Sequence, residues 1–142
     1  MATSHDLRVT KLIFAKRDKV FAAWTNPEIM KHWFMPQGMS VVNAESDVRV
    51  GGNFRATMQG PDGSFTAYGT YREIVDGRKL VFTHHWEEGD RRETLVTVEL
   101  SDQDGGTLVT LTHAGLADEA SVKGHGEGWT STLDNLAGYF RM

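Results

Sequence analysis

The chain contains no cysteine, which removes disulfides, thiol catalysis and cysteine-based zinc sites from the range of functions. It also has no long hydrophobic run. The longest purely apolar stretch, VFAAW at 20–24, is far below the roughly 20 residues a membrane span requires. The first residues, MATSHDLRV, lack the apolar segment and cleavage pattern of a secretory signal. Positive charge is not in excess: the net charge is −4, the basic residues are scattered, and Arg91-Arg92 is an isolated pair. No basic stripe tracks a phosphate backbone, so nucleic acid is not an expected partner. Low-complexity segments, repeats and linkers are missing as well. These absences predict a soluble, cytoplasmic protein without membrane insertion, forming one domain over residues 1–142.

What is present fits that reading. Hydrophobic residues make up 39% and charged residues 24%, ordinary globular values, and 142 residues suffice for a core that needs no staples. Apolar residues at 7, 9, 12 and 14 suggest a first strand. From Arg17 the period changes, and Val20, Phe21 and Trp24 fall on one helical face. Asn26-Pro27-Glu28 then reads as a helix start: Asn accepts from free N–H groups, Pro needs none, and Glu suits the positive end. A second short helix follows, with Ile29, Met30 and Trp33 inward, ended by Pro36 to Gly38.

Beyond Gly38 the texture is strand and turn. Strands are expected at 41–50, 53–59, 65–75, 80–86, 93–101 and 107–113. Gly51-Gly52 reads as a two-residue hairpin turn, and the other connections are too short for crossovers. The pattern returns to helix from about Lys123, where Trp129, Leu133, Leu136 and Phe140 form one apolar stripe. About 18 residues at ~1.5 Å each give a rod of roughly 27 Å, close to the length of an eight-residue strand. Such a helix can lie along a curved sheet and cover one face. The sequence therefore predicts an α+β fold: a strand, two short helices, a six-strand antiparallel meander and one long helix.

Several stretches carry a resemblance across nearly the whole chain: VFAAWTNPEIMKHWF (20–34), DVRVGGNF (47–54), PDG (61–63), GTYREI (69–74), RKLVFT (78–83) and EGWTSTLDNL (127–136). In this order they resemble the activator-of-heat-shock-protein-90-ATPase homologue-like family, within the START-like, SRPBCC or helix-grip superfamily. The resemblance implies a curved sheet of about seven strands gripping a long C-terminal helix, with a central, mostly apolar cavity. That cavity typically holds lipids, sterols, polyketides or other hydrophobic molecules, and some relatives are cyclases or aromatases. The family is named for co-chaperones that stimulate an Hsp90-type ATPase. Those carry an additional N-terminal domain, which a chain whose first strand begins near Leu7 is expected to lack.

Strand alternation nominates the cavity residues. Phe54, Ala56 and Met58 share a face, as do Leu80, Phe82, His84 and Trp86, and as do Val109, Leu111 and His113. His84 and His113 are thus polar members of apolar rows. A buried His could act as a general base or fix a ligand carbonyl; a His near a strand end is equally at home bonded to backbone or water. His85 falls on the opposite, solvated face. Six histidines without an HExxH pair specify no metal site, and no metal or other cofactor is expected.

Four tryptophans suit an aromatic-walled pocket, although Trp24 and Trp129 also fit regular core stripes. Trp33 and Phe34, before a Pro-Gly bend, are candidates for a mouth or lid, and Tyr71 completes the candidate wall. Met30, Met35, Met39 and Met58 would add an adaptable surface. Asp47 and Arg49 share a face with Glu45, while Val48 and Val50 take the other. The valines are expected to point to the helix-covered side, leaving the charges outside, where Asp47 pairs either with Arg49 or across the strands with Arg55. A bulge near Gly51-Gly52 would instead turn Asp47 and Arg49 inward as ligand anchors. Gly124, Gly126 and Gly128 mark either a mobile start of the last helix or a place of close packing on the sheet.

Three functions remain open at this stage. The first is a monomeric or homodimeric module that binds a small hydrophobic or aromatic molecule. The second is a cyclase, dehydratase or hydrolase in the same cavity, with His84 or His113 as acid/base and Arg49, Tyr68 or Tyr71 at an oxyanion. The third is a domain that regulates a chaperone ATPase through an exposed patch.

Overall fold

The computed structural model describes residues 5–89 and 91–141. Its elements run β1 (Leu7–Ile13), α1 (Arg17–Thr25), α2 (Pro27–Met30), β2 (Ser40–Ser46), β3 (Asn53–Gly60), β4 (Gly63–Val75), β5 (Lys79–Trp86), β6 (Thr94–Gln103), β7 (Gly106–Ala114) and α3 (Glu119–Tyr139). The strands form one seven-stranded sheet in the order β1-β7-β6-β5-β4-β3-β2, with every neighbouring pair antiparallel. β2 to β7 are the expected meander, and β1 closes onto β7. The sheet curls around α3 as a half-barrel: this is the helix-grip fold.

The two short helices are joined as the sequence predicts. The Asn26 side chain accepts from the Glu28 N–H at 3.0 Å, and Pro27 opens α2. Pro27 has a structural consequence one turn earlier. It stands where the i+4 donor to the Ala23 carbonyl would be, and proline has no N–H. The indole N–H of Trp33 donates to that carbonyl instead, at 3.0 Å. Trp33 is therefore fully buried as a bracket between α1 and the end of α2, not a lid.

One face of the sheet is apolar over most of its area. Phe54, Ala56 and Met58 of β3, Leu80 and Phe82 of β5, Val96, Val98 and Leu100 of β6, and Val109 and Leu111 of β7 are all buried. Trp129, Leu133 and Leu136 of α3 pack down onto this face. Gly69 belongs to the same row. A Cβ there would run into the Thr83 carbonyl and the Phe54 ring, so glycine is required for the close approach of β4 to its neighbours. In β1 the inward residue at the strand's end is Ile13, at 0% exposure, while Phe14 points out to solvent, contrary to the expected alternation.

Two further expectations are corrected. The strand expected to run to Val50 ends at Ser46, and 47–52 is an irregular connection in place of a two-residue turn. The loop is held by its own backbone: Arg49 N–H donates to the Asp47 carbonyl, Gly52 N–H to the Arg49 carbonyl, and Gly51 N–H to the Tyr71 carbonyl. Gly51 supplies the positive φ of 88° that this path needs. Once the strand has ended, alternation no longer applies, and Val48 and Val50 are exposed instead of facing the helix. The last helix, expected from about Lys123, begins at Glu119. Asp118 caps it by accepting from the Ser121 N–H at 2.8 Å. Gly124, Gly126 and Gly128 thus lie inside α3, and a Cβ on any of them would meet nothing within 4 Å. Close packing does not account for them.

Candidate functional site

Between the N-terminal half of α3 and the inner ends of β3 and β5 lies a cavity of about 380 Å³. Its walls are mostly apolar: Phe34, Pro36, Met58, Trp86 and Trp129. Gly124 and Gly128, one turn apart on α3, also line it, and their missing side chains leave the space free. The polar contributions come from His84, Ser121, His125 and Thr132.

Three imidazoles meet beneath and beside this space. The ring of His113 lies 5.0 Å from that of His84 and 5.1 Å from that of His125. Each has a different fate. His113 is fully buried below the cavity; Nδ1 accepts from the Trp129 indole N–H at 2.9 Å, and Nε2 lies 2.7 Å from Thr94 Oγ1. Because Thr94 Oγ1 itself donates to the His84 carbonyl at 2.8 Å, its lone pairs receive the Nε2–H of a neutral His113. Burial, then the neighbouring His125, lowers the His113 pKa to about 3. His125 is held from both sides. Nδ1 lies 2.8 Å from the Ser121 carbonyl, to which it donates, and Nε2 accepts from the Trp86 indole N–H at 3.1 Å. That contact ties α3 to β5 across the cavity.

His84 differs from both. It is 3% exposed and lines the cavity, yet among the described residues nothing hydrogen-bonds its ring. Trp86 and Trp129 stand edge-on to it with ring centres 5.1 and 5.9 Å away. Burial lowers its pKa well below the ordinary value, and His113, His125 and His85 push in the same direction. It is a neutral imidazole facing an apolar space.

The candidate residues named from the sequence thus separate. Phe34, Met58, His84, Trp86 and Trp129 come together around the cavity. Phe54, Tyr71 and Phe82 form a second aromatic cluster on the same sheet face, with Phe54 and Phe82 ring centres 5.0 Å apart, as part of the packed core. Burial pushes the Tyr71 phenol up to about 12. Tyr68 lies on the other face, stacked on His85 at 4.9 Å, so neither tyrosine reaches the cavity. Asp47 and Arg49 sit on the exposed 47–52 loop and pair with each other at 2.8 Å, and Arg55 pairs with Glu87 instead of Asp47. Sequence reasoning missed Ser121, His125 and Thr132. The signal was Asp118: as an N-cap it starts α3 early enough to place 121, 124, 125, 128, 129 and 132 on one helical face.

Among the described residues no group of three His, Cys, Asp or Glu is placed to hold a metal ion, and no helix is long and apolar enough to cross a membrane. Residues 15–141 match the family described as Activator of Hsp90 ATPase homolog 1-like protein. The chain belongs to that family. Solved structures agree with the assignment. Protein CV1439 from Chromobacterium violaceum superposes with a TM-score of 0.88 over 97% of this chain and 98% of its own, at 21% identity, a likeness of fold. Protein NE0264 from Nitrosomonas europaea is 26% identical, with a TM-score of 0.80 over 94% of this chain and 92% of its own. CalU16 from Micromonospora echinospora is 29% identical, with a TM-score of 0.72 over 95% of this chain and 74% of its own. No curated protein matches the chain.

Proposed function

We propose that this family member binds a small hydrophobic or aromatic molecule in the cavity between its sheet and α3. The observation that carries this reading is the cavity itself: about 380 Å³, walled by aromatic side chains, with one buried imidazole free to orient a guest. Its volume lies within the roughly 300–1,000 Å³ typical of small-molecule sites, and so does the mixture of apolar walls and few polar groups. The glycines of α3 support the same reading. Two of them line the cavity, inside a helix where each costs about 1 kcal/mol relative to alanine. A helix that forgoes side chains at these positions keeps a volume open at the expense of stability.

Binding is favoured over catalysis because no carboxylate, lysine or arginine lines the cavity among the described residues, so His84 has no charged partner for acid–base work. The family's name refers to an Hsp90 ATPase, but the reading preferred for this chain rests on its cavity. Native mass spectrometry of the purified protein, before and after incubation with hydrophobic and aromatic compounds, tests the reading. A non-covalent adduct is expected, and it should be lost in Gly128→Leu, whose side chain fills the space. A bare mass under all conditions would sink the proposal.

A further inference from the structure

The polar atoms around the cavity are not equally available to a guest. The Trp86 indole N–H is spent on His125, the Trp129 N–H on His113, and His125 Nδ1 on the Ser121 carbonyl. The Thr132 hydroxyl donates to the Gly128 carbonyl at 2.8 Å. The half-buried Ser121 oxygen lies 3.3 Å from His125 Nδ1, from whose N–H it can only accept, so its own proton stays free on the helix side of the cavity. His84 alone has both ring nitrogens uncommitted while lying 97% out of solvent, since its exposure is 3%. A neutral imidazole offers one donor and one acceptor, the complement of a hydroxyl, which also has both.

The same surroundings reject charge. A carboxylate would enter an apolar space with no cation lining it, the costly case of an unpaired buried ion. Protonating His84 to meet it would place a second cost beside the first: an imidazolium with its ring centre 5.0 Å from that of His113, in surroundings that already disfavour its charge. Size narrows the guest further. The cavity is about two and a half times the roughly 150 Å³ that accepts a single benzene, which suits two rings. Phe34, Trp86 and Trp129 give those rings aromatic edges and faces to pack against.

We infer that the cavity selects an uncharged, two-ring aromatic molecule whose hydroxyl hydrogen-bonds His84, and that it excludes the carboxylate of the same skeleton. This deepens the small-molecule reading and rests on it.

Naphthalene, 2-naphthol and 2-naphthoate separate the two claims. Each is titrated into the full chain by calorimetry at about pH 7.5, where a phenol is neutral and a carboxylic acid ionised. Naphthol should bind about 5–10-fold tighter than naphthalene, the worth of one net hydrogen bond, and naphthoate at least ~100-fold weaker than naphthol. His84→Phe should bring naphthol down to the naphthalene level while naphthalene still binds. His84→Gln, which keeps a donor and an acceptor, should retain part of naphthol's advantage and guards against a folding defect in the first variant. Naphthoate binding as tightly as naphthol, or a naphthol advantage untouched in His84→Phe, would overturn the inference and leave the cavity reading standing. If none of the three binds, the cavity reading fails and this inference with it.

Discussion

Around Trp24 and Trp33 the space between sheet and helices is filled, whereas around Trp86 and Trp129 it is open, although both regions are walled by the same kind of side chain. At the filled end Trp24 and Trp33 meet edge to face with centres 4.7 Å apart, and Phe34 packs 5.4 Å from Trp33. All three are at most 4% exposed. Phe34 also stands 6.0 Å from Trp129 and so forms the partition between the two ends. At the open end the helix presents Gly124 and Gly128 where the other end meets bulky rings. Aromatic content therefore does not make a cavity; what faces the aromatics does. Each end also holds a polar group without a partner among the described residues, but in different company. At the filled end the Trp33 N–H closes a backbone defect left by Pro27 while the Trp24 indole N–H stays buried and unbonded; at the open end the unbonded group is the His84 imidazole, which faces the cavity.

The largest expected effect breaks the filled end. Trp33→Ala should cost about 3–5 kcal/mol in urea unfolding, through the void it leaves and the Ala23 carbonyl it strands. Trp86→Ala, on a half-buried residue already bordering empty space, should cost less than half as much. Equal losses would erase the distinction between the two ends.

Acid tests the open end next. His113 titrates at about 3 in the folded chain against an ordinary 6.5, so between those values the unfolded chain takes up a proton that the folded chain refuses. Its contribution to stability is complete above pH 6.5 and is lost as pH falls toward 3. At about 1.4 kcal/mol per unit, His113 alone accounts for roughly 2 kcal/mol between pH 6.5 and 5. His84, shifted in the same direction, adds to the loss. Urea midpoints measured at pH 7 and pH 5 should differ accordingly, above the range where most carboxylates titrate. A flat profile would mean that the imidazoles at the open end are not held neutral by burial.

A smaller effect of opposite sign comes from the glycines. Gly128 has ordinary helical backbone and room for a Cβ, so Gly128→Ala should raise stability by about 0.5–1 kcal/mol. The same change should weaken binding of the cavity's guest, measured on the same protein by calorimetry. A stability gain without any loss of binding would show that Gly128 does not keep the volume open.

Much of this contrast was legible beforehand, and the illegible part has a physical cause. Alternation along β5 and β7 put His84 and His113 on the apolar face because those strands stay regular through the residues concerned. It failed at Val48 and Val50, which it turned toward the helix, because a strand's end is set by long-range backbone bonds, here from Gly51 to the Tyr71 carbonyl, which local pattern does not contain. The roles of Trp33 and Trp129 depended on which carbonyl or imidazole lay opposite each indole, a tertiary fact. His125 was within reach: Asp118 is an N-cap residue type, and starting α3 there places His125 on the Trp129 face.

The smallest expected effect lies outside both ends. Asp47 and Arg49 make a 2.8 Å ion pair, but their side chains are 55% and 70% exposed, respectively, so water screens the attraction and holding two side chains in register has an entropic cost. Asp47→Ala should therefore change stability by less than about 0.5 kcal/mol and leave guest binding untouched. Gly52→Ala in the same loop should be far worse, because its Cβ would overlap the Asp47 carbonyl. The comparison of the two variants by urea unfolding asks whether the loop is shaped by its charges or by its backbone. A large loss on removing Asp47, or a weakened guest, would bring this loop back into the functional site; a loss confined to Gly52→Ala leaves selection of the guest to the open end of the groove.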